Sequence, residues 1–283
     1  PYTAETKEYT IELNPEFPDL KMMEILKKHH INRISMGVQS ADDGILKSLN
    51  RKHTFADVQT MFSLLREQGF DNISLDLMYS LPGQTLSVLE KSIEDVLSLN
   101  PEHISLYSLT IEENSVFGKK GIKALDEDTE ADMYEMMVKK LEENGYLHYE
   151  VSNFCKETKQ SKHNMGYWNY EDFIGLSLSA SSKIGNHRYT HTRDFKRYFE
   201  GKDIDDESLY LTEKEMEFEH IMMSLRTIYG LDIEHFNKLY HCDLLKKYEK
   251  GVNNPSIIVK DNHLICKDLA ILNHVLLDFM IGY

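Results

Sequence analysis

Glu12, Gln39 and Asp76 stand near the ends of three short apolar segments, and Arg51 follows Gln39 by twelve residues. Two carboxylates, an amide and a guanidinium converging on one mouth suit a polar organic ligand. Carboxylates accept from a ribose diol or an ammonium, and arginine grips a carboxylate with two parallel donors. The same residue types also fit buried polar groups that pair with one another, and the spacing leaves that reading open. A second dense motif is Ser161–Trp168, SKHNMGYW, which follows YEVSNF at Tyr149–Phe154. His163 can offer an imidazole to iron, while Tyr167 and Trp168, the only tryptophan, offer flat apolar surface to a macrocycle. The competing reading is a loop plug in which His163 is merely hydrogen-bonded.

The elements that must position the first group are strands. YTIEL (Tyr9–Leu13), RISMGVQ (Arg33–Gln39), NISLDLM (Asn72–Met78) and HISLYSL (His103–Leu109) each alternate. Side chains alternate along a strand, so Ile34, Met36 and Val38 share one face and Arg33, Ser35, Gly37 and Gln39 the other. A strand buried on both faces is apolar throughout; here one face packs on helices and the other lines something wet. Helical patterns fall between the strands at Pro18–His30, Thr54–Gln68 and Leu86–Leu99, with Thr54 as a cap and Gly69 as a stop. Strand and helix in alternation mean βα units with parallel pairing. One polar face favours a partial barrel with its chemistry at the strand C-terminal ends.

Further along, a helix is expected over Asp128–Asn144 and a single strand over Tyr146–Phe154, with residues 155–190 irregular apart from the motif. KDIDDESL (Lys202–Leu209) reads as an acidic linker. The organisation expected is therefore a barrel part over 1–200, a linker over 201–210 and a C-terminal domain over 211–283. That last part opens with a capping box, Thr212 with Glu215. It continues with a helix over Ile233–Tyr248, a strand pair turning at Asp261–Asn262 and a final helix over Leu269–Phe279. This order suggests a winged-helix-like α+β module. It carries 8 Lys and Arg against 11 Asp and Glu, so it does not read DNA.

The whole chain of 283 residues carries a formal charge of −15, which argues against a phosphate-tracking nucleic-acid surface. No run of 18 apolar residues spans a membrane. Three widely separated cysteines, Cys155, Cys242 and Cys266, have no metal-type spacing and point to a reducing, cytoplasmic setting. The chain starts at Pro1, from which we expect that an N-terminal piece is missing, so the sequence sets no bound on a targeting segment. His187 and His191 lie four apart, a metal-like spacing if helical, but Arg188, Arg193 and Lys196 favour a solvated or anion-facing surface.

TIELNPE (Thr10–Glu16), RISMGVQS (Arg33–Ser40), LKSLNRKHT (Leu46–Thr54) and ISLDLMYSLPGQT (Ile73–Thr85) together resemble the core of radical S-adenosylmethionine (radical SAM) proteins. More narrowly, they resemble the oxygen-independent coproporphyrinogen III oxidase group, and the resemblance covers nearly the whole chain. It implies a partial (β/α)6 barrel with its first strands missing. It also implies that Glu12, Gln39, Arg51 and Asp76 bind S-adenosylmethionine, and that the full-length protein holds a [4Fe–4S] cluster. HN-x-x-YW is similar to the motif of the HemW-type haem chaperones. That likeness implies haem on His163 as iron ligand, with Asn164, Tyr167 and Trp168 in its site, and haem-accepting proteins as partners. The alternative it leaves is an oxygen-independent coproporphyrinogen III oxidase of porphyrin biosynthesis.

Two departures stand out. The family's CxxxCxxC loop and Gly-Gly-Thr-Pro motif do not occur, and Cys155, Cys242 and Cys266 cannot replace thiolates gathered around one cluster. The chain as given is therefore expected not to cleave S-adenosylmethionine reductively. The usual glycine-rich run after the aromatic motif is here IGLSLSASSKIGNHRY (Ile174–Tyr189), with serines at Ser177 and Ser179. Glycine allows close backbone approach to a ligand, so the serines loosen the expected packing there.

Overall fold

A computed structural model describes residues 7–16, 19–201 and 204–280. They form two compact units that divide between Gln160 and Ser161. No helix among the described residues is long and apolar enough to cross a membrane.

The first unit runs β1 (Thr10–Leu13), α1 (Leu20–Lys28), β2 (Arg33–Gln39), α2 (Asp43–Ser48), α3 (Phe55–Glu67), β3 (Ile73–Tyr79) and α4 (Leu86–Ser98). It continues with β4 (His103–Ser108), α5 (Val116–Lys119), α6 (Glu127–Glu143), β5 (Leu147–Glu150) and β6 (Asn153–Cys155). All six strands share one sheet in the order β1-β2-β3-β4-β6-β5. The first four are parallel, as their helical connections require. The apolar face is the one expected: Ile34, Met36, Val38, Ile73, Leu75 and Ile104 are fully buried. They form one core with Met23 of α1, Val58 and Met61 of α3, Leu89 and Ile93 of α4, and Met133 and Met137 of α6. Each such side chain contributes roughly 1.5–3 kcal/mol on burial, enough to hold the helices to this face and leave the other to polar groups.

Local chemistry sets the helix starts. Thr54 and Asp57 form a reciprocal capping box on α3, and Thr85 accepts from the Val88 N–H at the start of α4. α1 starts at Leu20 on an Asp19 cap; Pro18 lies outside the described residues. The single strand expected over Tyr146–Phe154 is two, β5 and β6, paired antiparallel, with β6 also antiparallel to β4. Between them the Glu150 carboxylate accepts from the Ser152 N–H at 3.1 Å and from the Asn153 side-chain amide, which turns the chain at Val151–Ser152.

The second unit contains α7 (Lys162–Trp168), β7 (Ser181–Ile184), β8 (His187–His191), α8 (Phe195–Glu200) and β9 (Asp205–Tyr210). After them come α9 (Glu213–Ser224), β10 (Leu231–Asp232), α10 (Ile233–Tyr240), α11 (Leu244–Lys247) and α12 (Glu249–Val252). β11 (Ile257–Lys260), β12 (His263–Cys266) and α13 (Leu272–Leu276) complete it. β7, β8 and β9 make an antiparallel sheet. Residues 155–190 are thus more ordered than their composition suggests, because β8 reads His-Arg-Tyr-Thr-His and lacks the apolar alternation that marks a strand. Likewise, Asp205–Tyr210 of the expected acidic linker is a strand held by backbone pairing to β8, with every residue exposed. The division at Gln160 falls before the boundary expected near residue 200. α9 opens on the expected Thr212–Glu215 capping box. α10 ends at His241, in the left-handed region at φ 49°, where one continuous helix to Tyr248 was expected. Asp261 and Asn262, at φ 50° and 63°, supply the two left-handed residues that turn β11 into β12.

Candidate functional site

On the polar face of the first sheet, register places side chains in rows. Glu12 pairs with Ser35, Ser35 with Ser74 and Ser74 with His103; one row on, Gly37 pairs with Asp76 and Asp76 with Ser105. Asp76 sits at the centre. Its Oδ2 accepts from Ser35 Oγ at 2.8 Å and its Oδ1 from Ser74 Oγ at 3.0 Å. Ser74 Oγ also lies 2.8 Å from His103 Nδ1, and His103 Nε2 lies 2.8 Å from the Tyr149 hydroxyl. A carboxylate only accepts, so the single Ser74 proton goes to Asp76. His103 Nδ1 must then carry hydrogen and donate to Ser74, and Tyr149 O–H donates to Nε2. The donors therefore all run one way, from Tyr149 through His103 and Ser74 to Asp76.

The charges agree with that assignment. Burial and the nearby Arg33 charge hold the His103 imidazole well below its ordinary range, so it is neutral. Burial pushes the Asp76 carboxyl up, while hydrogen bonds from Ser35, Ser105 and Ser74 and the Arg33 charge pull the other way. At the strand starts, Thr10 Oγ1, Arg33 Nε and Asn72 Oδ1 are buried without a hydrogen-bond partner among the described residues. Thr10 is the register partner of Arg33, and Asn72 precedes β3 by one residue.

Glu12 is exposed on the same face. Gln39 ends β2 at φ 67°, where the register with β3 slips. Its amide folds back over Gly37: a Cβ there would sit 2.8 Å from Gln39 Nε2 and 3.7 Å from Asn14 Oδ1. Only glycine leaves room for that return. The sheet therefore brings Glu12, Gln39 and Asp76 to one face. Arg51 instead lies in the connection between α2 and α3 and lines a cleft of about 680 Å3 with Lys47, Met78, Thr110, Phe117 and Lys120. Among the described residues, three cations and no carboxylate line that cleft. No hydrogen bond or ion pair joins Arg51 to Glu12, Gln39 or Asp76 among the described residues. The four positions thus form a three-residue face and a separate basic cleft, both involving the C-terminal ends of the parallel strands.

An iron–sulfur cluster does not fit the described residues. Cys155 belongs to the first unit, and Cys242 and Cys266 to the second. Burial pushes the Cys155 thiol up to about 11 and raises Cys242 and Cys266 as well. No group of three metal-binding side chains gathers among the described residues.

In the second unit, Ser161 caps α7 by accepting from the Asn164 N–H. The exposed His163 stands in the first turn, its ring 4.7 Å from Tyr167 edge-on, and Tyr167 meets Phe173 at 4.7 Å. Trp168 Nε1 is buried with no hydrogen-bond acceptor among the described residues, and the Arg226 guanidinium lies 5.8 Å from the indole. A helix of one imidazole and two aromatic rings, with an unsatisfied indole N–H, fits a flat macrocycle bearing polar substituents. In the following loop Ser177 and Ser179 adopt φ 91° and 59°, the left-handed region that glycine occupies without strain. The serines thus keep the backbone shape of a glycine run.

Sequence reasoning missed His103, Tyr149 and Glu150. His103 occupies a polar-face position of an alternating strand, which is a usable signal. Tyr149 and Glu150 were hidden because their strand was misread as continuous with β6.

Residues 3–96 match the Radical SAM superfamily. The chain is 38% identical over 247 residues to the heme chaperone HemW of Bacillus subtilis, covering 84% of this chain and 65% of that protein. It is 34% identical over 289 residues to the heme chaperone HemW of Lactococcus lactis, covering 97% of this chain and 76% of that protein. The chain thus spans about two thirds to three quarters of the length of these relatives. Its fold is similar to that of the radical SAM enzyme coproporphyrinogen III oxidase (HemN) from Escherichia coli, with a TM-score of 0.82. That likeness, at 19% identity, covers 96% of this chain and 69% of the other and concerns fold alone.

Proposed function

Because the chain belongs to the HemW family of radical SAM proteins, we propose that it carries haem as cargo, with His163 as the iron ligand. The observation that carries this reading is α7 itself: an exposed imidazole beside an edge-on tyrosine, with a buried indole N–H one residue further on that has no acceptor among the described residues. Haem iron needs one strong axial ligand from the protein, and an apolar flat wall supports the macrocycle. In this reading His163 Nε2 or Nδ1 ligates, Tyr167 and Trp168 pack on the ring, and Asn164 and the Trp168 N–H meet polar substituents.

The first unit is the S-adenosylmethionine site in the same proposal. Asp76 and Glu12 accept from ribose hydroxyls or the ammonium, Gln39 offers an amide, and Arg51 takes the carboxylate in a cleft free of competing acids. The donors converging on Asp76 hold its carboxylate in one orientation before the ligand arrives. When bound, S-adenosylmethionine supplies a sulfonium whose reductive cleavage yields a carbon radical. These residues hold no cluster, so their part is to bind and orient. We also read the C-terminal part as winged-helix-like, the location as cytoplasmic, and the partners as haem-accepting proteins.

Haem transfer tests the reading. Full-length protein loaded with haemin and mixed with an apo-haem protein should pass on its haem, followed as a shift of the Soret band to that of the acceptor. Anaerobic turnover of coproporphyrinogen III with no haem transfer would replace the proposal with the oxidase alternative.

A further inference from the structure

We propose that His53 is a positioning residue of the S-adenosylmethionine site, an assignment that rests on that reading of the first unit. It fixes Arg51 in its cleft by tying the α2–α3 connection to the carbonyl that precedes Gln39. Arg51 has no hydrogen bond or ion pair with Glu12, Gln39 or Asp76 among the described residues, so another contact must set its distance from them. Two residues after Arg51, His53 is 3% exposed, and its Nε2 lies 3.1 Å from the Val38 carbonyl oxygen. A carbonyl only accepts, so Nε2 carries the hydrogen and donates. The Leu49, Asn50 and Arg51 N–H groups bond back to α2, and Thr54 caps α3. The His53 bond instead reaches β2.

The acceptor is itself part of the site's geometry. The Val38 carbonyl also accepts from the Ser40 N–H at 2.8 Å, which closes a three-residue turn about Gln39 at φ 67°. Such a turn with positive φ at its centre is rare and strained, and its central residue here is not glycine. Two donors fill the two lone pairs of one oxygen. The strained turn that aims Gln39 and the connection that carries Arg51 therefore share a single fixed point. Arg51 needs such an anchor, because Lys47 and Lys120 line the same cleft and like charges push one another apart. The imidazole also buries Nδ1 without a partner among the described residues. An unsatisfied buried nitrogen lowers stability, so packing alone would favour an apolar side chain at this position. What the imidazole adds over such a side chain is the directed bond to Val38.

The test is calorimetric titration of S-adenosylmethionine into the full chain and its variants, with urea unfolding of each. His53→Leu is expected to weaken binding about tenfold while its urea midpoint is no lower than the parent's. His53→Gln, whose side-chain amide still donates at similar reach, is expected to bind within about threefold of the parent. In an Arg51→Ala background, His53→Leu should weaken binding by less than about a further twofold, because its effect passes through Arg51. In an Asp76→Ala background it should cause the same loss as in the parent. A role confined to holding the fold would lower the midpoint and weaken binding alike in both backgrounds. That result, unchanged affinity in His53→Leu, or no recovery in His53→Gln would overturn the proposal while leaving the nucleotide site in place. A parent chain that binds no S-adenosylmethionine would remove the nucleotide reading, and the role of His53 with it.

Discussion

Ser74→Ala tests the directional network beneath Asp76 more sharply than removing Asp76 itself. The substitution deletes the 3.0 Å hydrogen bond to the carboxylate and leaves His103 Nδ1–H, buried in a fully enclosed ring, with no acceptor. A hydrogen bond to a charged group is worth about 1.5–3 kcal/mol, and an orphaned buried donor costs about 1–3 kcal/mol. The two share one hydroxyl and do not add fully, so a loss of about 3 kcal/mol is expected. Urea unfolding followed by far-UV circular dichroism would show it as a midpoint lowered by about 1 M or more at unchanged slope. Ser105→Ala also removes a hydrogen bond to Asp76 but leaves His103 Nδ1–H its Ser74 acceptor, so it serves as the comparison and should cost less than Ser74→Ala. Nitrogen-15 shifts of the imidazole should report hydrogen on Nδ1 of His103 in the parent protein. A Ser74→Ala variant within about 0.5 kcal/mol of the parent, or hydrogen found on Nε2, would refute the assigned direction of the donors.

Other outcomes follow from the same structure. Asp76→Ala and Arg51→Ala should each weaken S-adenosylmethionine binding at least tenfold by calorimetric titration, and unchanged affinity for either would remove that residue from the nucleotide site. His220 is buried and its pKa is lowered from 6.5 to about 4, first by burial and then by the His235 and Lys183 charges. The unfolded chain therefore binds the proton more readily. The stability this group contributes is complete above about pH 6.5 and is lost as pH falls toward 4, by about 2 kcal/mol between pH 7.5 and 5. His220→Phe should flatten that part of the profile in denaturant titrations at the two pH values; an unchanged slope would contradict the burial argument. Ser177→Gly relieves a left-handed residue at φ 91° and should raise the stability of the second unit by up to about 1 kcal/mol. A lower melting temperature would show that the serine hydroxyl matters more than the backbone strain.

Much of the first sheet could be read from the sequence because its two faces differ in chemistry. Ile34, Met36 and Val38 alternate with Arg33, Ser35 and Gly37, and that contrast is what burial against helices produces. Helix starts at Thr54 and Thr212 were equally legible, since a capping side chain acts on the backbone three residues away and needs no tertiary partner. Register between strands was not legible. The convergence of Ser35, Ser74, His103 and Tyr149 on Asp76 is a product of strand neighbours 2 to 73 residues from it in sequence, and no local pattern encodes it. β8 and β9 escaped notice because neither carries an apolar alternation (Leu209 is the single aliphatic side chain among their residues), so the strands rest on backbone hydrogen bonds that composition does not reveal. The position of Arg51 in a basic cleft, apart from Glu12, Gln39 and Asp76, depends on how the α2–α3 connection returns over the strand ends.

The central claim is that His163 binds haem iron, and ligand rescue tests it most directly. In a His163→Gly variant the full chain should bind less haemin than the parent, and free imidazole should restore the missing Soret absorbance by entering the vacated position. Full parent stoichiometry in His163→Gly without imidazole would contradict the account.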